Sequence, residues 1–194
     1  MTVIEPQARP GAAEKLIAAA CNLLAEVGPR AASVRAIAEL AGVNHGLVHH
    51  YFGSKDALLR SAMSRLVHEH AESARERAGS GPVPAALGLL EDPRYLHAVV
   101  RCVLDGEMDL ARTELEEGDS IPLRAYMDMV ARKGETVDPH RLKALVGLGM
   151  AIEMGWAALE PFIAAVTGVQ GPDEMASVRH EAVILRNQIA REWF

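Results

Sequence analysis

Between Val34 and Lys55 the chain reads VRAIAELAGVNHGLVHHYFGSK, and this stretch limits the folds open to it more than any other. Val34, Ile37, Ala38 and Ala41 recur at i, i+3, i+4 and i+7, the spacing of a buried helical stripe. Ser33 stands before the stripe as an N-cap, and Gly42 follows it where the backbone must turn left-handed to leave the helix. Asn44 is placed to cap a second helix, which has room for only about two turns before Gly53 and the next cap, Ser54. Inside it Val48 and Phe52 share an inner face meant for Ile37 and Ala38, while His45, Leu47, His49, His50 and Tyr51 lie outward. A helix, a glycine turn and a short helix with a polar, aromatic outer face form the layout of a helix-turn-helix, whose second helix enters the DNA major groove.

The outward residues suit that task chemically. His45, His49 and His50 can donate or accept toward base edges or phosphates, Tyr51 and Lys55 are phosphate donors, and Leu47 can touch a thymine methyl. Gly46 lets the backbone come close, Asn44 sits beside it, and Ser33 and Arg35 lie at a helix N-terminus whose free N–H groups favour a phosphate.

The segment resembles the DNA-binding domain of the tetracycline-repressor (TetR) family of bacterial transcription regulators. Ala38, Gly42, Val43, Val48, Tyr51, Phe52, Ser54, Lys55 and Leu58 fall at the places of that family's motif. His49 stands where a tyrosine is common and Leu47 where threonine or serine is common, both on the outer face, so they bear on the operator read and not on the fold. The resemblance covers about the first third of the chain. It implies a three-helix DNA-binding domain followed by a helical ligand-binding and dimerisation domain, hence an all-α, ligand-responsive repressor. Its implied partners are double-stranded operator DNA, a small and largely apolar effector and a second copy of the chain; it needs no cofactor.

Composition agrees with helices. Of 194 residues 49% are hydrophobic but only 4% aromatic, and strand signals are nearly absent. No run reads as long and apolar enough to span a bilayer and the first residues lack a signal-peptide core, so the expectation is a soluble cytoplasmic protein with no membrane partner. The net charge of −6 is uneven. Residues 1–60 hold six Lys and Arg against five Asp and Glu, so the acidity belongs to the remainder, and a near-neutral DNA-binding end implies few phosphate contacts.

Taken in order, a mobile tail to residue 11 is expected, then a helix from Ala12 to Val27 burying Leu16, Ala20, Leu23, Leu24 and Val27, stopped by Gly28 and Pro29. The helix-turn-helix domain covers 12–53. A connecting helix over 54–78 buries Leu58, Leu59, Ala62, Met63, Leu66 and Val67, and GSGPVP from Gly79 to Pro84 ends it as a hinge. The domain over 79–194 reads as helices at Ala85–Leu90, Pro93–Leu104, Met108–Glu117, Leu123–Lys133, Pro139–Val166 and Asp173–Trp193, with breaks that include Gly118–Pro122 and Gly134.

In that domain Tyr95, Val99, Cys102, Val103, Tyr126, Met127, Val130, Met154 and Trp156 suit a pocket for an apolar molecule, and suit an ordinary core equally. Gly147, Ala151 and Gly155 recur every four residues, leaving a groove for either an intrachain helix or a second subunit. The resemblance favours the subunit contact, with Leu159, Val183, Arg186 and Ile189 alongside. Enzyme signatures are missing: there is no GxSxG, P-loop, GxGxxG or HExxH. In VHEHAE, His68 and Glu72 share a face as a metal pair without a third ligand, and the stretch reads as a solvated face; no metal site is expected. Cys21 reads as a small buried helix residue, and neither it nor Cys102 has redox spacing. The rival reading is a helical ligand-binding module whose helix-turn-helix no longer binds DNA.

Overall fold

The computed structural model describes residues 11–78, 86–133 and 137–192, and among these residues every regular element is a helix. They are α1 (Ala12–Ala31), α2 (Val34–Ala41), α3 (Gly46–Phe52), α4 (Lys55–Ala78), a 3-10 turn (Gly88–Glu91), α5 (Pro93–Leu104), α6 (Met108–Ala111), α7 (Thr113–Glu116), α8 (Ile121–Lys133), α9 (Pro139–Thr167) and α10 (Gly171–Glu192). The all-α expectation holds. The N-terminal tail, the Gly79–Pro84 hinge, Ala85, the Gly134 break, Trp193 and the Ile189 side chain lie outside the described residues.

Contacts divide the chain into two compact units, Met1–His68 with His97–Gly118, and Glu69–Leu96 with Asp119–Phe194. This differs from a division at residue 79. Both α4 and α5 have one end in each unit.

In the first unit α1 buries Leu16, Ala20 and Leu24 completely, with Ala19, Cys21 and Ala25 beside them. Val27, expected inside, is 42% exposed, because Gly28 leaves the helical path at φ 81° before that last turn is covered. All six residues assigned to the inner face of α4 are buried, and the Cys21 thiol donates to the Ala62 carbonyl at 3.3 Å. The later part of α5 closes on the end of α1: Arg101 Nε donates to the Ala25 carbonyl at 2.9 Å, and Asp105 accepts the Arg30 N–H at 3.3 Å. The single helix expected over Met108–Glu117 breaks at Arg112 into α6 and α7, where buried Thr113 turns its hydroxyl onto the Leu110 carbonyl and competes with the helical ladder.

In the second unit Asp92 starts α5 as expected, accepting the Tyr95 N–H, and it also receives His70 Nδ1 at 3.0 Å. His70 stacks flat on Tyr95 with ring centroids 4.1 Å apart and is buried, so VHEHAE is not simply a solvated face. Burial pushes the Asp92 carboxyl up, but the bonds from His70 and Tyr95 and the nearby positive charges outweigh it and hold the group below the usual carboxylate range. The helix expected over Ala85–Leu90 is reduced to the 3-10 turn, entered through Leu87 at φ 57°. Asp138 caps α9 through the His140 N–H at 3.0 Å, and α8, with Ser120 Oγ accepting the Leu123 N–H, starts at Ile121, two residues before the expected Leu123. Helix α10 likewise starts at Gly171, ahead of Asp173.

Helix α9 corrects the expectation about membranes: over 29 residues, with a mean hydropathy of 1.4 in its best window, it is long and apolar enough to cross one by length and composition. Its apolar surface is one-sided. It packs against α8 and the 3-10 turn, burying Leu142 and Glu153, while Leu148, Leu159, Phe162 and Val166 on another side are 47 to 69% exposed.

Candidate nucleic-acid interface

The turn between α2 and α3 is built by the residues that the spacing nominated. Ser33 Oγ accepts the Ala36 N–H at 3.1 Å and so caps α2. Gly42 closes that helix at φ 65°, ψ 36°, returning its own N–H to the Ala38 and Glu39 carbonyls, and Val43 N–H adds a bond to Ala38. Asn44 Oδ1 then accepts the Gly46 N–H at 2.8 Å and tightens the turn, but the residue at the N-cap of α3 is His45, not Asn44 as expected, and its side chain makes no capping bond. Gly53 ends α3 at φ 75°, and Ser54 Oγ caps α4 through Ala57. Every end of the motif is thus hydrogen-bonded locally, which fixes a helix of only seven residues that would not hold alone in water.

Val48, Ile37 and Ala38 are buried and Phe52 is half-buried, so the inner face of α3 is the one expected. His45, Gly46, His49 and His50 are exposed, and Tyr51 is 48% exposed. Leu47 is the exception, being half-buried. The His50 ring meets the Tyr51 ring edge-on at 4.8 Å. His49 Nδ1 bonds the Gly53 carbonyl at 2.7 Å. Ser33, Arg35 and Asn44 are exposed at the helix starts. Lys55 has a partner that its sequence position did not announce: its ammonium donates to the Pro29 carbonyl at 2.8 Å and is partly buried.

The candidate pocket residues are not gathered in one unit. Val99, Cys102 and Val103 belong to the first unit, whereas Tyr95, Tyr126, Met127, Val130, Met154 and Trp156 belong to the second. Helical spacing along α5 could not reveal this, because that helix runs through both. Cys102 is fully buried, and burial first, then Asp105 and Glu107, push its thiol up to about 12, which suppresses the thiolate. Val103 and Met127 are 45% and 57% exposed, so neither lines a closed core within its unit. Trp156 Nε1 donates to Glu160, which also receives Arg179 Nε at 2.6 Å and is held below the usual range chiefly by that bond.

Of the candidate dimer residues, Gly147, Ala151 and Leu159 are exposed and Gly155 and Val183 half-buried. A Cβ added at Gly147 or Gly155 would meet nothing within 4 Å, so the small-residue groove holds no intrachain helix among the described residues. Arg186 instead points inward, with Nη2 3.5 Å from Oε1 of buried Glu153. Sequence reasoning missed Glu153, whose only signal was one carboxylate among apolar neighbours. Burial pushes it up, partly offset by the Leu87 and Gly88 N–H groups and by Arg186, while Oε1 lacks a hydrogen-bond partner.

Comparison with known proteins meets this geometry at the same place. Residues 16–62 match the model for bacterial regulatory proteins of the tetR family. The HTH-type transcriptional regulator BetI of Stenotrophomonas maltophilia is 38% identical over 107 residues, which are 55% of this chain and 46% of that protein. The chain therefore spans about half the length of the BetI relatives it matches. The HTH-type transcriptional repressor Rv3405c of Mycobacterium tuberculosis is 27% identical over 172 residues, 84% of this chain and 81% of that one. Among solved structures, the fatty acid degradation regulator FadR from Bacillus halodurans superposes with a TM-score of 0.60 at 15% identity, over 93% of this chain and 96% of that one. A tetR-family transcriptional regulator from Streptomyces coelicolor gives 0.52 at 22% identity, over 89% and 88%. At these identities the structural likeness is one of fold. The α2–Gly42–α3 turn thus lies inside the segment that matches the tetR family of bacterial regulatory proteins, and the helical fold continues beyond it.

Proposed function

We propose that the protein is a cytoplasmic DNA-binding transcription regulator, a repressor that holds a palindromic operator as a homodimer and leaves it on binding a small, largely apolar effector. The observation that carries this reading is the motif itself: α3 is hydrogen-bonded locally at both ends, inserts Val48 and presents His45, His49, His50 and Tyr51 to solvent. A fixed, exposed short helix after a glycine turn is what major-groove reading requires.

The dimer is supported by α9. Gly147, Leu148, Ala151, Gly155, Leu159, Phe162 and Val166 fall within one side of the helix, and Phe162 and Val166 are 66% and 69% exposed. An apolar stripe of that kind calls for a partner, and a two-fold pair would set its reading heads about one DNA turn apart, ~34 Å. The effector would enter the second unit near Tyr95, Tyr126, Met127, Val130, Met154 and Trp156, moving the reading head through α4. One observation favours the rival, a ligand-binding module that no longer binds DNA: the near-neutral charge of residues 1–60.

An anisotropy titration against the DNA flanking the protein's own gene, at two salt concentrations and with nonspecific competitor, separates the two. Tight, competitor-resistant binding with two chains per site is the expected result. Failure there and in a selection from random duplexes would leave the ligand-binding module.

A further inference from the structure

We propose that His49 is a specificity-determining residue that reads the exocyclic amino group of adenine or cytosine, at one position in each half-site, through its Nε2. The inference deepens the DNA-binding reading above and rests on it.

It comes from the one histidine of α3 whose hydrogen-bonding identity the fold fixes. Nδ1 of His49 lies 2.7 Å from the Gly53 carbonyl, and the Gly53 N–H returns to the His49 carbonyl at 3.0 Å, so ring and helix end are tied twice. A carbonyl oxygen only accepts, hence the proton sits on Nδ1. In the neutral imidazole the other nitrogen is then an acceptor, and its role follows from this bond. No comparable bond fixes His45 or His50 among the described residues, and His50 is turned against the Tyr51 edge.

The side chain is exposed on the outer face, and the ring cannot spin to exchange its nitrogens without breaking the Gly53 bond. A fixed acceptor discriminates by repulsion as well as attraction. In the major groove adenine N6 and cytosine N4 offer N–H groups, whereas guanine presents O6 and N7 and thymine O4, all acceptors. Phosphate oxygens are acceptors too, so a neutral His49 held in this way is unsuited to the backbone. The structure thus moves His49 from the general set of DNA contacts to direct base reading, and to amino against keto bases.

The test uses the full chain at pH 8, with binding sites selected from random duplexes. The wild type is expected to enrich adenine or cytosine at a position that His49→Ala no longer constrains, the other positions being unchanged. At that position, replacing adenine by purine, which lacks the amino group, should weaken wild-type binding roughly tenfold and leave His49→Ala indifferent. His49→Gln, whose amide can turn to donate or accept, should bind while tolerating amino and keto bases alike. Guanine or thymine enriched at the His49-dependent position, an unchanged motif in both variants, or a uniform loss across all sequences would each overturn the assignment while leaving the regulator reading intact. A wild type that enriches no motif would take down both.

Discussion

Gly28→Ala tests whether the end of α1 is locked to the end of α5 in the way the fold requires. Gly28 sits at φ 81°, ψ 171°, a region essentially reserved for glycine, and holding alanine there costs about 1–3 kcal/mol. Space adds a second cost. The new Cβ would lie 2.9 Å from Asp105 Oδ2, closer than a normal approach, and 3.3 Å from Arg101 Cβ, a tight one. Arg101 cannot withdraw freely because its Nε is bonded to the Ala25 carbonyl, so Asp105 must swing away and release the Arg30 N–H, about 1 kcal/mol more. The expected destabilisation is therefore about 2–4 kcal/mol in urea unfolding followed by circular dichroism, a large share of a domain's margin. In an Asp105→Ala background the closest contact is gone and the same substitution should cost about 1 kcal/mol less. A loss below about 0.5 kcal/mol would refute the backbone argument, the size usual for an indifferent surface change; equal losses in both backgrounds would refute the crowding.

Other expectations follow from single contacts. Lys55→Met removes the ammonium from the Pro29 carbonyl and should cost about 1–2 kcal/mol of stability while changing operator affinity less than tenfold; unchanged unfolding with a large affinity loss would restore Lys55 to the phosphates. Burial raises the Glu153 carboxyl, and a raised group stabilises the fold below its unfolded pKa and loses that contribution as pH climbs through its folded one. Glu153→Gln, which keeps an acceptor for the Leu87 and Gly88 N–H groups, should therefore gain on the wild type as pH rises above ~4.3, and a gain on acidification would reverse the sign. Phe162→Glu places a charge in the α9 stripe on both sides of a two-fold contact, so sedimentation should show dimer dissociation strengthened roughly a hundredfold or more, with monomer helicity kept; an unaltered dimer would put the interface elsewhere.

Local order was legible in the sequence because it is decided locally. Ser33, Gly42, Ser54, Asp92 and Asp138 each satisfy a backbone group within a few residues of themselves and cap as their positions implied, while Asn44 bonds Gly46 in the turn one residue before the cap. The α4 stripe was legible for a related reason, since six apolar residues at helical spacing have one inner face whatever covers it. What spacing cannot supply is the identity of the neighbour. Tyr95 and Cys102 lie on the same helix, yet one is stacked on His70 in the second unit and the other is buried in the first. His70 was missed likewise, because its partner Asp92 is 22 residues away.

The same limit applies to charge, and there it changes the expected chemistry. Residues 1–60 are near neutral, but their compact unit also contains His97–Gly118, where Arg101 and Arg112 face Asp105, Glu107, Asp109, Glu114, Glu116 and Glu117. Two of the six cations before residue 61 are engaged internally, Lys55 with Pro29 and Arg60 with Glu116 at 3.1 Å. Few positive groups then remain for phosphates. Since the salt dependence of binding scales with the number of phosphates neutralised, at about 0.9 per contact, the slope for this protein should be shallow. The burden passes to neutral donors and acceptors held in place, the capped α2 N-terminus and the ring of His49 tied to Gly53. A reading head of that kind is weak on random DNA and depends on the right bases being present, so specificity and affinity should fall together when an outward residue of α3 is removed.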